Sequence, residues 1–336
     1  MNKQKITIID STLRDGSHAM HHQFTKDQII NYCKGAEKAG IEILVVGHGN
    51  GLGASSLQLG TSLLSDELMI KTARKHLNKT KLSAFLIPGF GTIKDNLEPA
   101  IKNGIDCLMV ASHCTEANIT RQHIEYAKKK KLLTFGVLMM IHRTDTKTLL
   151  EQAKLMESYG ADAILLMDSA GSLLPQEVKE KTKKLFKNLK IKVGFHAHNN
   201  FGLAIGNSLS AVESGALYLD ATTKGLGAGA GNCQLEVLVA VLEKLGYITD
   251  LNLYSLMDNA EKIISPMMQK PQDISLIELT SALTGVFSGF APHAKRASET
   301  FKVDIRDIFH ELGKRKAVAG QEDLIIDVAA YLKSKN

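Results

Sequence analysis

No stretch of the 336-residue chain is long and apolar enough to cross a bilayer: the longest nearly apolar run, Leu132 to Ile141, falls far short of the roughly 20 residues needed. The first dozen residues lack a signal-type apolar segment and a small-residue cleavage pattern, so neither membrane insertion nor secretion is expected. Cysteine is scarce. Cys33, Cys107, Cys114 and Cys233 form no CxxC pair and no disulfide-framework spacing, which fits reduced thiols and a cytoplasmic location. Aromatic residues make up only 5% and do not interleave with the basic ones, so no stacking platform for nucleic acid is present. Charge of one sign is thin as well. The 41 Lys and Arg against 35 Asp and Glu leave +6, and the dense run Lys128 to Lys131 reads as a solvated helix end. What remains is an ordinary globular balance, 44% hydrophobic and 23% charged, with length for a sizeable core.

Short β-rich runs recur, each followed by a helical pattern. The strand candidates are Ile6–Leu13, Ile43–His48, Leu82–Ile87, Cys107–His113, Leu133–Ile141, Ala163–Asp168, Val193–His198 and Tyr218–Thr222. Several are apolar without alternation, as strands buried on both faces are. Amphipathic segments such as Lys26–Ala39, Lys147–Tyr159 and Gln176–Leu189 lie between them, and glycines at 40, 104, 160 and 215 close helices ahead of the next strand. Eight such β-α units predict a (β/α)8 TIM barrel over residues 1–250 that carries the active site. A doubly wound sheet fits less well, because no dinucleotide fingerprint follows the first strand. From 251 to 336 the alternation stops. Helical patterns at Leu253–Ile264, Leu276–Phe287, Lys295–Phe301, Ile305–Leu312 and Glu322–Leu332 predict a C-terminal helical domain for partner binding or communication.

Active sites of such barrels lie at the carboxyl ends of the strands. There, His196 and His198 sit two residues apart, so both imidazoles share one strand face. Two inward histidines and a carboxylate make a facial metal site with open positions, and Asp15, after the first strand, which in a closed barrel lies beside the eighth and near the seventh, is the candidate third ligand. Oxygen and nitrogen donors without thiolate suit Mg2+, Mn2+, Co2+ or Zn2+, and the sequence does not choose among them. Arg14 beside Asp15 supplies fixed positive charge, which favours a substrate that develops oxyanion character. His18 on the same loop suits proton transfer near neutrality, although His21 and His22 stand close by. The loop Gly225-Leu-Gly-Ala-Gly-Ala-Gly-Asn232 either cradles a phosphate or lets backbone approach the metal site with Asn232 turned inward. The run Gly49-Asn-Gly-Leu-Gly-Ala54 reads as a tight βα loop rather than a nucleotide site.

Thr12-Leu-Arg-Asp-Gly-Ser-His18, His196-Ala-His198-Asn199 and the 225–232 loop together resemble the DRE-TIM metallolyases, and most closely the 4-hydroxy-2-oxovalerate aldolase family. His48-Gly-Asn-Gly-Leu52, His113-Cys-Thr-Glu-Ala117, Leu155-Met-Glu-Ser-Tyr-Gly160 and Gly320-Gln-Glu-Asp323 support it, and the similarity runs from about residue 5 to 332. The resemblance implies a class II pyruvate aldolase. A divalent metal, usually Mn2+, would be held by Asp15, His196 and His198, with the 2-oxo acid chelating it. His18 would remove the C4 hydroxyl proton, Arg14 would stabilise the pyruvate enolate, and Ser169 would help hold the carboxylate. It also implies an acylating aldehyde dehydrogenase as partner, and an oligomer. One position departs from the family pattern: in Gly285-Val-Phe-Ser288, Phe287 stands where a tyrosine is expected, which bears on orientation, stereochemistry and the aldehyde accepted. The competing expectations are a CoA-dependent lyase or Claisen-type synthase of the same superfamily, and a non-catalytic member. Leu276, Leu279 and Leu283 are expected to pack rather than to form an interface.

Overall fold

A computed structural model describes residues 4–318 and 320–335. Eight parallel strands close into a barrel in chain order: β1 (Thr7–Leu13), β2 (Ile43–Val46), β3 (Lys81–Leu86), β4 (Cys107–His113), β5 (Leu133–Met139), β6 (Ala163–Asp168), β7 (Lys192–Ala197) and β8 (Tyr218–Ala221). The unalternating apolar runs have their reason in two cores. Ile9, Val45, Phe85, Met109, Phe135 and Leu165 fill the barrel interior, while Ile8, Leu44, Leu82, Leu108, Ile164 and Phe195 pack outward against the helices. Both faces are buried, so polar alternation has no place.

Capping sets the helices between strands. Thr25 and Gln28 form a reciprocal capping box at the start of Lys26–Ala39, and Gly40 ends that helix at φ +82°, a left-handed geometry that costs glycine nothing. Thr146–Ser158 and Pro175–Asn188 begin and end within a residue of the sequence expectation. The four cysteines are buried and free, and no helix among the described residues is long and apolar enough to cross a membrane.

Beyond Leu235–Lys244 the chain is helical. Leu253–Asn259 continues through a wider turn, Ala260–Ile264, and packs on Lys26–Ala39, where a Cβ at Gly35 would lie 2.3 Å from Asn259 Oδ1. Leu276–Thr284, Ala291–Phe301, Ile305–Lys314 and Asp323–Lys335 share a separate core around Phe290, Ile308, Phe309, Leu312 and Val328. The first of these stops at Thr284 rather than at the expected Phe287, because Gly285 turns left-handed at φ +62°. Its carbonyl accepts hydrogen bonds from His142 Nε2 (2.9 Å) and Arg143 Nη2 (2.7 Å), tying the helical region to the loop after β5. The expectation that Leu276, Leu279 and Leu283 pack is overturned: at 50%, 45% and 65% exposure they form an uncovered apolar face.

Burial lowers the His142 pKa from 6.5 to about 4, so the folded chain holds this ring neutral while the unfolded chain protonates it earlier. Its stabilising effect is therefore complete above about pH 6.5 and erodes as the pH falls toward 4, by about 3 kcal/mol at most. His142→Gln, which keeps a donor for the Gly285 carbonyl, is expected to flatten the loss of melting temperature across that window. An unchanged slope in scanning calorimetry would contradict this.

Candidate metal centre at the barrel mouth

β7 places His196 on the inner face of the barrel, and His198 follows just past the strand, where its backbone bridges Asn232. The two ring centroids are 5.0 Å apart. At the end of β1 a tight turn forms as the amides of Arg14 and Asp15 both donate to the Ser11 carbonyl, at 3.0 and 2.8 Å. The turn aims Asp15 at the histidines: one ligand atom from each of Asp15, His196 and His198 lies within 4.8 Å of the others, and all three residues are buried. Both ring nitrogens of His196, Nδ1 of His198 and Oδ1 of Asn232 are buried without a hydrogen bond. Buried donors are rarely left so. Converging, unsaturated nitrogen and oxygen donors with no thiolate among them fit a hard or borderline divalent cation.

Electrostatics sustain that donor set. Burial works against charge on Asp15, yet Arg14, then His198 and His196, outweigh it and hold the carboxyl well below the usual carboxylate range. Arg14 Nη1 sits 2.6 Å from Asp15 Oδ1, and Asn232 Nδ2 donates to Asp15 Oδ2 at 2.6 Å. Burial also pushes His198 down to about 4, against the pull of Asp15, which keeps its ring neutral and able to ligate. The glycine-rich loop resolves in favour of close backbone approach. A Cβ on Gly227 would lie 2.7 Å from Asp15 Oδ2, while the amides of Ala230 and Asn232 are committed to Asn200 Oδ1 and the Gly225 carbonyl.

His18 lies in the short helical turn Gly16–Ala19, with Gly49 pressed so close that a Cβ there would fall 2.4 Å from His18 Nε2. Behind it, the rings of His22 and His48 stack at 3.7 Å, and His18 meets His22 edge-on at 5.2 Å. His48 Nδ1 accepts the Asn50 amide and its Nε2 faces the Gly60 carbonyl, each at 3.0 Å, so the ring is neutral with the proton on Nε2. Burial lowers His22 to about 3 and His48 to about 4. His18 is lowered too, by burial opposed by Asp15, which leaves a neutral imidazole free to accept a proton. Ser169, after β6, accepts the amide of Met140 at 3.0 Å and keeps its own proton to donate. Met140 is itself left-handed at φ +55°.

These side chains face a cavity of about 410 Å3. Arg14, Asp15, His18, Ser169 and His198 line one part, and Phe287, Val318 and Gly320 from the helical region line another. His196 is fully buried and is not among the lining residues. The structure thus brings together every singled-out residue, Asn232 through Asp15 and Phe287 across the cavity. Sequence reasoning missed Asp220 and Phe85. Asp220 is the register partner of His196 on β8, with Oδ2 3.1 Å from His196 Nδ1. Phe85 carries the Arg14 guanidinium 4.5 Å above its ring centroid. An acidic residue inside an otherwise apolar strand was the available signal for the first; nothing in the sequence marked the second.

Fold and donor set define a (β/α)8-barrel protein with a candidate Asp-His-His metal site at the carboxyl ends of its strands. The HMGL-like family model matches residues 5–263, and the DmpG-like communication domain matches 272–334. The 4-hydroxy-2-oxovalerate aldolase of Pectobacterium atrosepticum is 50% identical over 99% of this chain and 97% of its own. That of Carboxydothermus hydrogenoformans is also 50% identical, over 99% of both chains. The carboxyl transferase domain of Rhizobium etli pyruvate carboxylase shares the fold at TM-score 0.82 and 17% identity, covering 99% of this chain and 61% of that one. The chain belongs to the HMGL-like family and, within it, to the 4-hydroxy-2-oxovalerate aldolases, which makes it a carbon–carbon lyase; membership implies a divalent metal, for which Asp15, His196 and His198 are the candidate site.

Asp15→Asn is expected to weaken Mn2+ binding by more than the roughly 10- to 100-fold typical of changes outside the ligand set. The double His196/His198 alanine variant should abolish it. His18→Ala should leave Mn2+ affinity within about twofold and slow turnover about 10²- to 10⁴-fold. Calorimetry showing equal metal binding in wild type and the double variant would refute the ligand assignment.

Proposed function

We propose that this enzyme cleaves 4-hydroxy-2-oxo acids, such as 4-hydroxy-2-oxopentanoate, to pyruvate and an aldehyde, acetaldehyde in that case, with Mn2+ as the ion. The observation that carries the reading is the Asp15, His196 and His198 donor cluster, of which Asp15 and His198 line one cavity with Arg14 and His18. The bound ion supplies Lewis acidity to the keto oxygen of the substrate. Around it, the chain does the rest. Ser169 donates a hydrogen bond to the substrate carboxylate, His18 takes the C4 hydroxyl proton as the C3–C4 bond breaks, and a proton is then returned to C3 of the enolate to give pyruvate. Arg14, a permanent cation fixed by Asp15 and by the face of Phe85, stabilises the enolate oxygen that develops. The leaving aldehyde carries no charge, and the apolar side chains of Ile87, Ile119 and Phe287 in the cavity lining accommodate it.

A CoA substrate gains no support from this lining. Its phosphates would find Arg14 as the one lysine or arginine in the lining among the described residues, with Glu116 and Glu322 also on the wall. In the same reading, residues 1–250 form the catalytic barrel and 251–336 the helical domain that meets protein partners. The match to a communication domain over 272–334 supports it, as does the exposed face of Leu276, Leu279 and Leu283. The partner we assign is an acylating aldehyde dehydrogenase that consumes the aldehyde, within an oligomeric assembly. The buried free thiols accord with the reducing cytoplasm.

The direct assay is pyruvate release from a panel of 4-hydroxy-2-oxo acids, with Mn2+ and after chelation. Metal-dependent release is expected, and none from any member would count against the proposal. Phe287→Tyr should shift aldehyde preference or stereoselectivity with little change in Mn2+ affinity, since the added hydroxyl adds one hydrogen bond of about 0.5–1.5 kcal/mol at the cavity wall. Unchanged discrimination across the panel would remove Phe287 from the specificity argument.

A further inference from the structure

Asp220 is fully buried on the inner face of β8, two residues from the apolar filling supplied by Tyr218. A carboxylate is kept in such a place only when it is paired. The other deeply buried aspartates of the barrel have work within the fold. Asp10 accepts from Thr12 and Tyr32, and Asp168 accepts the amides of Ser172 and Leu173. Neither oxygen of Asp220 makes a hydrogen bond of this kind. Its nearest nitrogen neighbours are His196 Nδ1 at 3.1 Å and Arg14 Nη2 at 3.8 Å, both reaching the same oxygen, Oδ2. His196 is also its Cα register partner across the sheet, so the approach is built into the barrel rather than into a side-chain rotamer.

An imidazole can ligate a cation only through a nitrogen without a proton. With Nδ1 facing Asp220, Nε2 is the nitrogen left for the side of Asp15 and His198. A carboxylate against Nδ1 selects the tautomer with the proton there and frees the Nε2 lone pair. We propose that Asp220 is the positioning residue of this centre: it fixes the His196 tautomer that presents Nε2 to the cation, and with the same oxygen it orients the Arg14 guanidinium beside Asp15. The metal half of this role rests on the reading of the donor cluster given above; the tautomer half does not.

The test uses the full-length metal-free protein, labelled with 15N-histidine and examined by NMR above neutrality, with the His196 resonance assigned from a His196→Gln variant. Wild type is expected to show His196 protonated on Nδ1. Asp220→Leu should lose that preference, while Asp220→Asn, which retains an acceptor oxygen, should keep much of it. Calorimetric titration with Mn2+ should then show about 10-fold weaker binding in Asp220→Asn and about 100-fold in Asp220→Leu, with melting temperatures no lower than wild type. If the leucine variant fails to fold, the asparagine variant carries the affinity test alone. Wild-type His196 protonated on Nε2, or Asp220→Asn binding Mn2+ as tightly as wild type, would overturn the proposal. A wild type that binds no Mn2+ would instead overturn the metal reading, and with it this half of the role, even with the tautomer as stated.

Discussion

The barrel mouth sets two buried carboxyl side chains, Asp15 and Asp220, against a single buried guanidinium, Arg14. Such an arrangement has unmet demand for positive charge. The neutral ring of His198 does not supply it, and the unsatisfied nitrogens of His196 point the demand inward. A divalent cation meets it, and the cation in turn calls for an anionic, oxygen-rich substrate. In the proposed reading the remaining features of the site answer this local imbalance: a neutral imidazole at His18 to act as base, the Ser169 hydroxyl, and apolar lining side chains for an uncharged product.

The scaffold makes the imbalance tolerable. The candidate ligands sit at or just past strand ends, so their positions derive from the closed hydrogen-bonded barrel. Close backbone contacts then remove slack. Gly49 admits the His18 ring, and Gly227 admits the Asp15 carboxylate. A polar knot outside the barrel wall locks the first turn in place: Tyr32 binds Asp10 at 2.6 Å and also approaches Thr12 and Thr223, at 2.9 and 2.5 Å. The helical region closes the cavity from above, and the Gly285 carbonyl, held by His142 and Arg143, anchors it to the barrel. A wall built from both parts couples the geometry of the far domain to the volume left for the aldehyde.

Much of this was legible in the chain. The strands stood out because burial on both faces writes unbroken apolar runs, and the helix ends stood out because left-handed caps select glycine. His196, His198 and Asp15 were readable because a spacing of two and a strand-end position fix where side chains go. Asp220 was not, since one aspartate in a four-residue strand has no periodic signature and gains meaning only from its register partner. The same holds for Phe85 under Arg14, and for Val318 and Gly320, which reach the cavity only when the helical region docks. The apolar face of Leu276, Leu279 and Leu283 misled for the opposite reason. Helical spacing of leucines says that a face seeks cover, not whether its own chain provides it.

The central claim is most directly tested by crystals grown with Mn2+ and pyruvate, with data collected at the manganese absorption edge. The account predicts one strong anomalous peak within bonding distance of Asp15, His196 Nε2 and His198, with pyruvate oxygens completing the coordination. A peak elsewhere, or the three side chains turned apart around an empty centre, would contradict it.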